Sequence, residues 1–141
     1  MINYTSLKWI EKMTFDAQLN GHHFLIDADR KVGGRNNGPQ PKGLLLTGLG
    51  GCIGMDVVSI LEKMKVHDFE LEIYVEGELT DVYPKYYHTI NVKYLFKGKN
   101  LPIAKLQKAV DLSENRYCGV YEMLSKSAKI NSYIIVNGEN I

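Results

Sequence analysis

Apolar and polar residues alternate from Met13 to Leu19, with Met13, Phe15, Ala17 and Leu19 on one side and Thr14, Asp16 and Gln18 on the other. That period of two is the pattern of a half-buried strand. Asn20-Gly21 comes next, and both positions tolerate the positive φ of a type I′ turn. The pattern predicts a hairpin in which residues 22–28 return antiparallel with Phe24 and Ile26 directed inward. Residues 29–42 lose this periodicity and are rich in turn formers, as in a loop. Pro41 is placed where the first turn of a helix needs no N–H. Leu44 to Met64 then reads as a helix apolar nearly all round, hence a buried central one. Each interior glycine lowers helix propensity by about 1 kcal/mol relative to alanine, so close packing must compensate. Gly50-x-x-x-Gly54 presents two side-chain-free points on one face, where a second helix is expected to cross.

The period of two returns at Phe69, Leu71, Ile73 and Val75, and again at Ile90, Val92, Tyr94 and Phe96. The segment 77–86, with Gly77 and Pro84, is expected to connect these two strands. From Leu101, with Pro102 at the start, Ile103, Leu106, Ala109 and Val110 keep helical spacing to a predicted end near Ser113. A short helix over about 114–127 and a strand from Tyr133 to Val136 complete the prediction. Antiparallel groups of strands, one long helix and a later helical pair give an α+β fold over a single domain, residues 1–141, rather than a βαβ parallel sheet.

The chain has 141 residues, 45% of them hydrophobic and 23% charged, which suits a soluble domain with a real core. A formal net charge of +1 supplies no positive field for a dedicated nucleic-acid binder. Gly43 to Leu61 carries only one charge, Asp56, and is long enough to raise the question of a membrane span. Its five glycines and its aspartate favour a helix packed by protein, so no span is expected. The N-terminus lacks the basic and apolar regions of a signal peptide, and two cysteines are too few for a secreted disulfide scaffold. A cytoplasmic protein with reduced thiols is the expectation.

Candidate chemistry centres on Cys52, in the glycine-rich helix, and Cys118, near the start of the later one. Free cysteine is commonly a small buried hydrophobe, and two of them on helices with glycine beside each leave a redox pair open as well. A reactive thiol needs a nearby cation or a helix N-terminus, and Arg116 and the basic loop are the cations on offer. Asp56, one turn after Cys52, would oppose thiolate formation unless committed to another partner. Arg30, Lys31, Arg35 and Lys42 could attract a small anion, although Gly33-Gly34-Arg35-Asn36-Asn37-Gly38 is no dinucleotide or Walker loop. A solvated loop is the plainer alternative. His22 and His23 point to opposite faces of a strand, and His67 and His88 have no spaced partner, so no metal or other cofactor is expected. Hydrolase motifs are absent.

The run from Gly38 through Leu44-Leu45-Leu46-Thr47-Gly48-Leu49-Gly50-Gly51-Cys52 to Met55-Asp56-Val57-Val58-Ser59-Ile60-Leu61, together with Arg116-Tyr117-Cys118 and Val120, resembles the OsmC/Ohr family. The resemblance implies an intertwined homodimer, with antiparallel sheets around the long central helix. It also implies a thiol-dependent peroxidase of organic hydroperoxides, in which Cys52 attacks the peroxide, Cys118 resolves the sulfenic acid as a disulfide, and an external dithiol restores the pair. Lys42 stands where well-known members carry a glutamate, and their early-strand arginine falls near Thr14, so the sequence is more similar to the OsmC-like branch. Arg35 or Lys42 is then the expected substrate-binding cation. The alternatives are thiol exchange with, or binding of, a small anionic thiol such as coenzyme A, or a non-catalytic binding protein whose groove holds an apolar ligand.

Overall fold

The computed structural model describes residues 1–141, which form two compact units, Met1–Leu45 and Leu46–Ile141. The first is a three-stranded antiparallel sheet of β1 (Thr5–Glu11), β2 (Thr14–Leu19) and β3 (His22–Ile26) in sequence order. The predicted hairpin is β2–β3. Asn20 and Gly21 have φ of 53° and 80°, and Leu19 faces His22 across the turn. Ile26 and Ala17 are buried as the alternation required, but Phe24 is exposed, as are Met13 and Leu19. Thr14, assigned to the polar side, is buried instead. Its reason is Asp27, whose Oδ2 accepts the Thr14 hydroxyl at 2.9 Å.

Asp27 organises the loop beyond β3. Oδ1 accepts from the Ala28 N–H (2.7 Å), and Oδ2 also accepts from the N–H groups of Asn37 (3.1 Å) and Arg35 (3.4 Å). Burial opposes ionisation of this carboxyl, and the four hydrogen bonds outweigh it, holding Asp27 below its ordinary pKa. The basic loop is thus folded tightly onto the end of β3. A Cβ on Gly34 would collide with the Ala28 carbonyl and one on Gly38 with the Leu25 carbonyl, so glycine is required at both.

The second unit contains α1 (Gly43–Lys63) from Leu46 onward, then β4 (Phe69–Leu79), β5 (Tyr87–Gly98), α2 (Ile103–Leu112), α3 (Gly119–Ser125), β6 (Lys129–Val136) and β7 (Glu139–Asn140). The sheet order is β4-β5-β6-β7. β4 and β5 pair antiparallel and bring Leu71, Ile73 and Val75 opposite Phe96, Tyr94 and Val92, which puts both apolar sets on one face. β5 and β6 pair in parallel, so α2 and α3 are the crossover between them and the sheet is mixed, not antiparallel throughout. The strand 129–136 also starts four residues earlier than its period suggested.

Onto this face α1 lays Leu49, Ile53, Val57 and Leu61, a row spaced by four residues. Each is fully buried, a burial worth about 1.5–3 kcal/mol per side chain. The glycine face does receive a close neighbour, but it is β4 and not a helix. A Cβ at Gly54 would lie 3.0 Å from Ile73 Cδ1, and one at Gly50 3.2 Å from Val75 Cγ2. Gly77 likewise belongs to β4 and not to the connection, because the Tyr87 ring occupies the space its Cβ would take. By length and composition α1 could cross a membrane, yet its buried row is that of a core helix, and only one side is covered. Met55 is 77% exposed, Leu45 and Val58 are exposed, and a Cβ at Gly48 or Gly51 would meet nothing within 4 Å.

Candidate functional site: a paired-thiol centre

Cys52 and Asp56 lie one turn apart on α1, so their side chains share a face. The segment after α2 brings Cys118 to them. Residues Ser113–Tyr117 wind as a single π-helical turn, with the Cys118 N–H donating to the Ser113 carbonyl at 2.8 Å. The wider i→i+5 turn shifts the register of the chain beyond it relative to α2. Cys118 then has extended backbone (φ −78°, ψ 105°) and caps α3, its Sγ accepting the Tyr121 N–H at 3.3 Å. The continuous helix predicted over 114–127 is therefore broken at the residue that carries the chemistry.

The two sulfurs and a carboxylate oxygen of Asp56 lie within 4.8 Å of one another. Cys118 is 3% exposed, whereas Cys52 and Asp56 are half-buried. Both thiols are free. Burial, then a hydrogen bond to Cys52, pushes the Cys118 thiol up to about 11, against the weaker opposing pull of the Tyr121 N–H. Cys118 is a thiol at neutral pH. Asp56 is committed as well, since Ser113 Oγ–H donates to its Oδ2 at 3.2 Å. The buried Ser113 thereby ties the π-turn to α1.

A second polar group holds the same turn from the sheet side. Glu114 accepts the hydroxyls of Tyr94 (2.7 Å) and Ser132 (2.5 Å). Burial, and then the Glu114 charge, raise the Tyr94 and Tyr121 hydroxyls above their ordinary range, so both are neutral at physiological pH. Neither Ser113 nor Glu114 was singled out from sequence. A Ser-Glu pair just before Asn115 has no distinguishing spacing, and only the fold shows what each touches. Beside Asp56 a cavity of about 300 Å³ is lined by Ser59, Ile60, Lys63, Met64, Leu112 and Tyr117.

Each cation named from sequence has its own local setting. Arg116 is exposed and stacks over the Tyr117 ring at 5.5 Å. Arg35, in the N-terminal unit, donates from Nη1 to Glu11 Oε1 at 3.0 Å, and Lys42 is exposed in the turn before α1.

The site and its scaffold define a class: an α+β domain whose central helix and a broken helical crossover present two free cysteines to each other. Comparison with known proteins agrees with the fold. The model of the OsmC-like protein family matches residues 34–132, and the chain belongs to that family. Protein YhfA of Escherichia coli strain K12 is 34% identical over 132 residues, covering 92% of this chain and 96% of YhfA. A hypothetical protein from Aquifex aeolicus VF5 has the same fold at TM-score 0.86 and 28% identity, with 97% of each chain covered. The organic hydroperoxide resistance protein OhrB of Bacillus subtilis shares the fold at TM-score 0.65 and 14% identity, over 95% of this chain and 98% of OhrB.

Proposed function

We propose that this protein is a cytoplasmic thiol peroxidase that reduces organic hydroperoxides, with Cys52 as the attacking residue and Cys118 as the resolving one. The observation that carries this reading is the approach of the two sulfurs to within 4.8 Å, one half-exposed and one buried. The half-exposed Cys52 is the sulfur a substrate can reach. Cys118 carries the proton that the departing hydroxide takes up in the second step.

In the first step the Cys52 thiolate bonds to one peroxide oxygen, the O–O bond breaks, and the departing alkoxide takes a proton to become an alcohol. Cys52 is then a sulfenic acid. Cys118 attacks that sulfur, the S–O bond breaks, and the hydroxide leaves as water with the Cys118 proton. An external dithiol returns the two electrons and releases both thiols. The sulfurs must close from within 4.8 Å to the S–S length of about 2.05 Å.

The exposed side of α1, with open space at Gly48 and Gly51 beside Met55 and Val58, supports a homodimer in which a second copy covers that face. The test of the activity is consumption of an organic hydroperoxide with a dithiol reductant. Cys52→Ser should abolish turnover, and Cys118→Ser should leave a single turnover with a sulfenic acid trappable by a 1,3-diketone. Unchanged turnover in Cys52→Ser removes the proposal.

A further inference from the structure

The triad Cys52, Asp56 and Cys118 is more than a redox pair requires, because Asp56 contributes no electrons to a disulfide. We infer that the reduced protein binds one zinc-type divalent cation through the sulfurs of Cys52 and Cys118 and a carboxylate oxygen of Asp56, with a water in the fourth position. No metal-ligand spacing announces this site, since Cys118 is brought to the other two by the fold.

Three features of the site support the assignment. The first is geometry. Zinc bonds of about 2.3 Å to sulfur and about 2.1 Å to oxygen place tetrahedral ligand atoms roughly 3.5 Å apart. The three atoms already lie within 4.8 Å, so closure takes side-chain adjustments of about 1 Å. The second is ligand type: two thiolates favour zinc-type ions over magnesium or calcium, and one carboxylate suits zinc better than a purely soft cuprous ion. The third is the surrounding shell. Ser113 Oγ–H orients the Asp56 carboxylate through Oδ2 (3.2 Å). The Tyr121 N–H already points at Cys118 Sγ (3.3 Å), the kind of N–H···S bond that supports a metal-bound thiolate. The cavity lined by Asp56 and Lys63 opens onto one of the three ligands.

Both thiols release their protons on binding, so the cation replaces two hydrogens and leaves the sulfurs unoxidised. The metal and a hydroperoxide then compete for the same sulfurs, a consequence that rests on the peroxidase reading. Oxidation of the bound pair would form the S–S bond, reduce the peroxide to alcohol and water with two protons from solvent, and free the cation.

The test is titration of the full-length, fully reduced protein with cobalt(II), then back-titration with zinc against a chromophoric chelator, all without peroxide. Expected is one cobalt per chain with a sulfur-to-cobalt charge-transfer band and tetrahedral d–d bands, both removed by one equivalent of zinc. Cys52→Ser and Cys118→Ser should weaken the charge-transfer band, and Ser113→Ala should lower zinc affinity by about 10–100-fold. The absence of a charge-transfer band in the wild-type protein overturns the site, whatever the variants do. So does Asp56→Asn binding zinc as tightly as wild type. Because no peroxide is present, failure here leaves the peroxidase reading standing, and failure of turnover leaves this one standing.

Discussion

Different physics holds each of the two units together. In Leu46–Ile141 a contiguous apolar cluster runs from Leu49 through Tyr94 and Leu106 to Val136. In Met1–Leu45 the buried apolar side chains are Ala17 and Ile26 alone, and the centre is a polar hub, Asp27 with Thr14 and three backbone N–H groups. One unit is specified by burial and the other by hydrogen bonds that depend on a charge.

The largest effect that would break this contrast is a cavity in the cluster. Ile53→Ala removes a fully buried side chain and is expected to cost about 2–5 kcal/mol in denaturant unfolding. Ile26→Ala should cost less, because few apolar neighbours share its burial. An equal or larger loss at Ile26 would make the two units alike.

Acid comes next, and its sign is set by Asp27. Its folded pKa lies below the ordinary 3.8, so the unfolded chain binds the proton first and ionised Asp27 favours the folded state. That contribution is fully present above about pH 4 and is lost as pH falls through the folded pKa. Hydrogen exchange at the Arg35 and Asn37 amides should accelerate over that range, before the amides of β5. Simultaneous acceleration in both would contradict the polar-hub account. Asp27→Asn should bring the same loss of protection at neutral pH.

The same contrast decides what could be read from the sequence. β4 and β5 were legible because one of their faces is buried, which writes a period of two into the chain. β1 was not, since all seven of its residues are exposed and its sequence carries no such record. Asp27 read only as one residue of the returning strand 22–28, because three of its four donors are backbone groups that any sequence supplies. Gly50 and Gly54 did announce a close approach, but a glycine names no partner, and a strand needs the space as much as a helix does. The two cysteines were legible as candidates through their family motifs. Their meeting with Asp56 was not, because it depends on the π-turn at Ser113–Tyr117.

Smaller effects sharpen the picture on each side. A Cβ at Gly51 meets nothing within 4 Å in a single chain, so Gly51→Leu is expected to act on the second copy of the proposed homodimer. Sedimentation should show a weakened dimer, and an unchanged dimer would move the interface elsewhere. The smallest expected effect is Arg35→Ala. Its ion pair with Glu11 is half-exposed at both ends, so unfolding should register less than about 1 kcal/mol.

The central claim is that Cys52 and Cys118 form one redox unit, and intact mass tests it most directly. Reduced protein given one equivalent of an organic hydroperoxide, then alkylated and measured without reductant, should lose two hydrogens and leave both thiols blocked to the reagent. Cys52→Ser and Cys118→Ser should each abolish that product. An unchanged mass, with both cysteines alkylated once the protein is unfolded, would contradict the account.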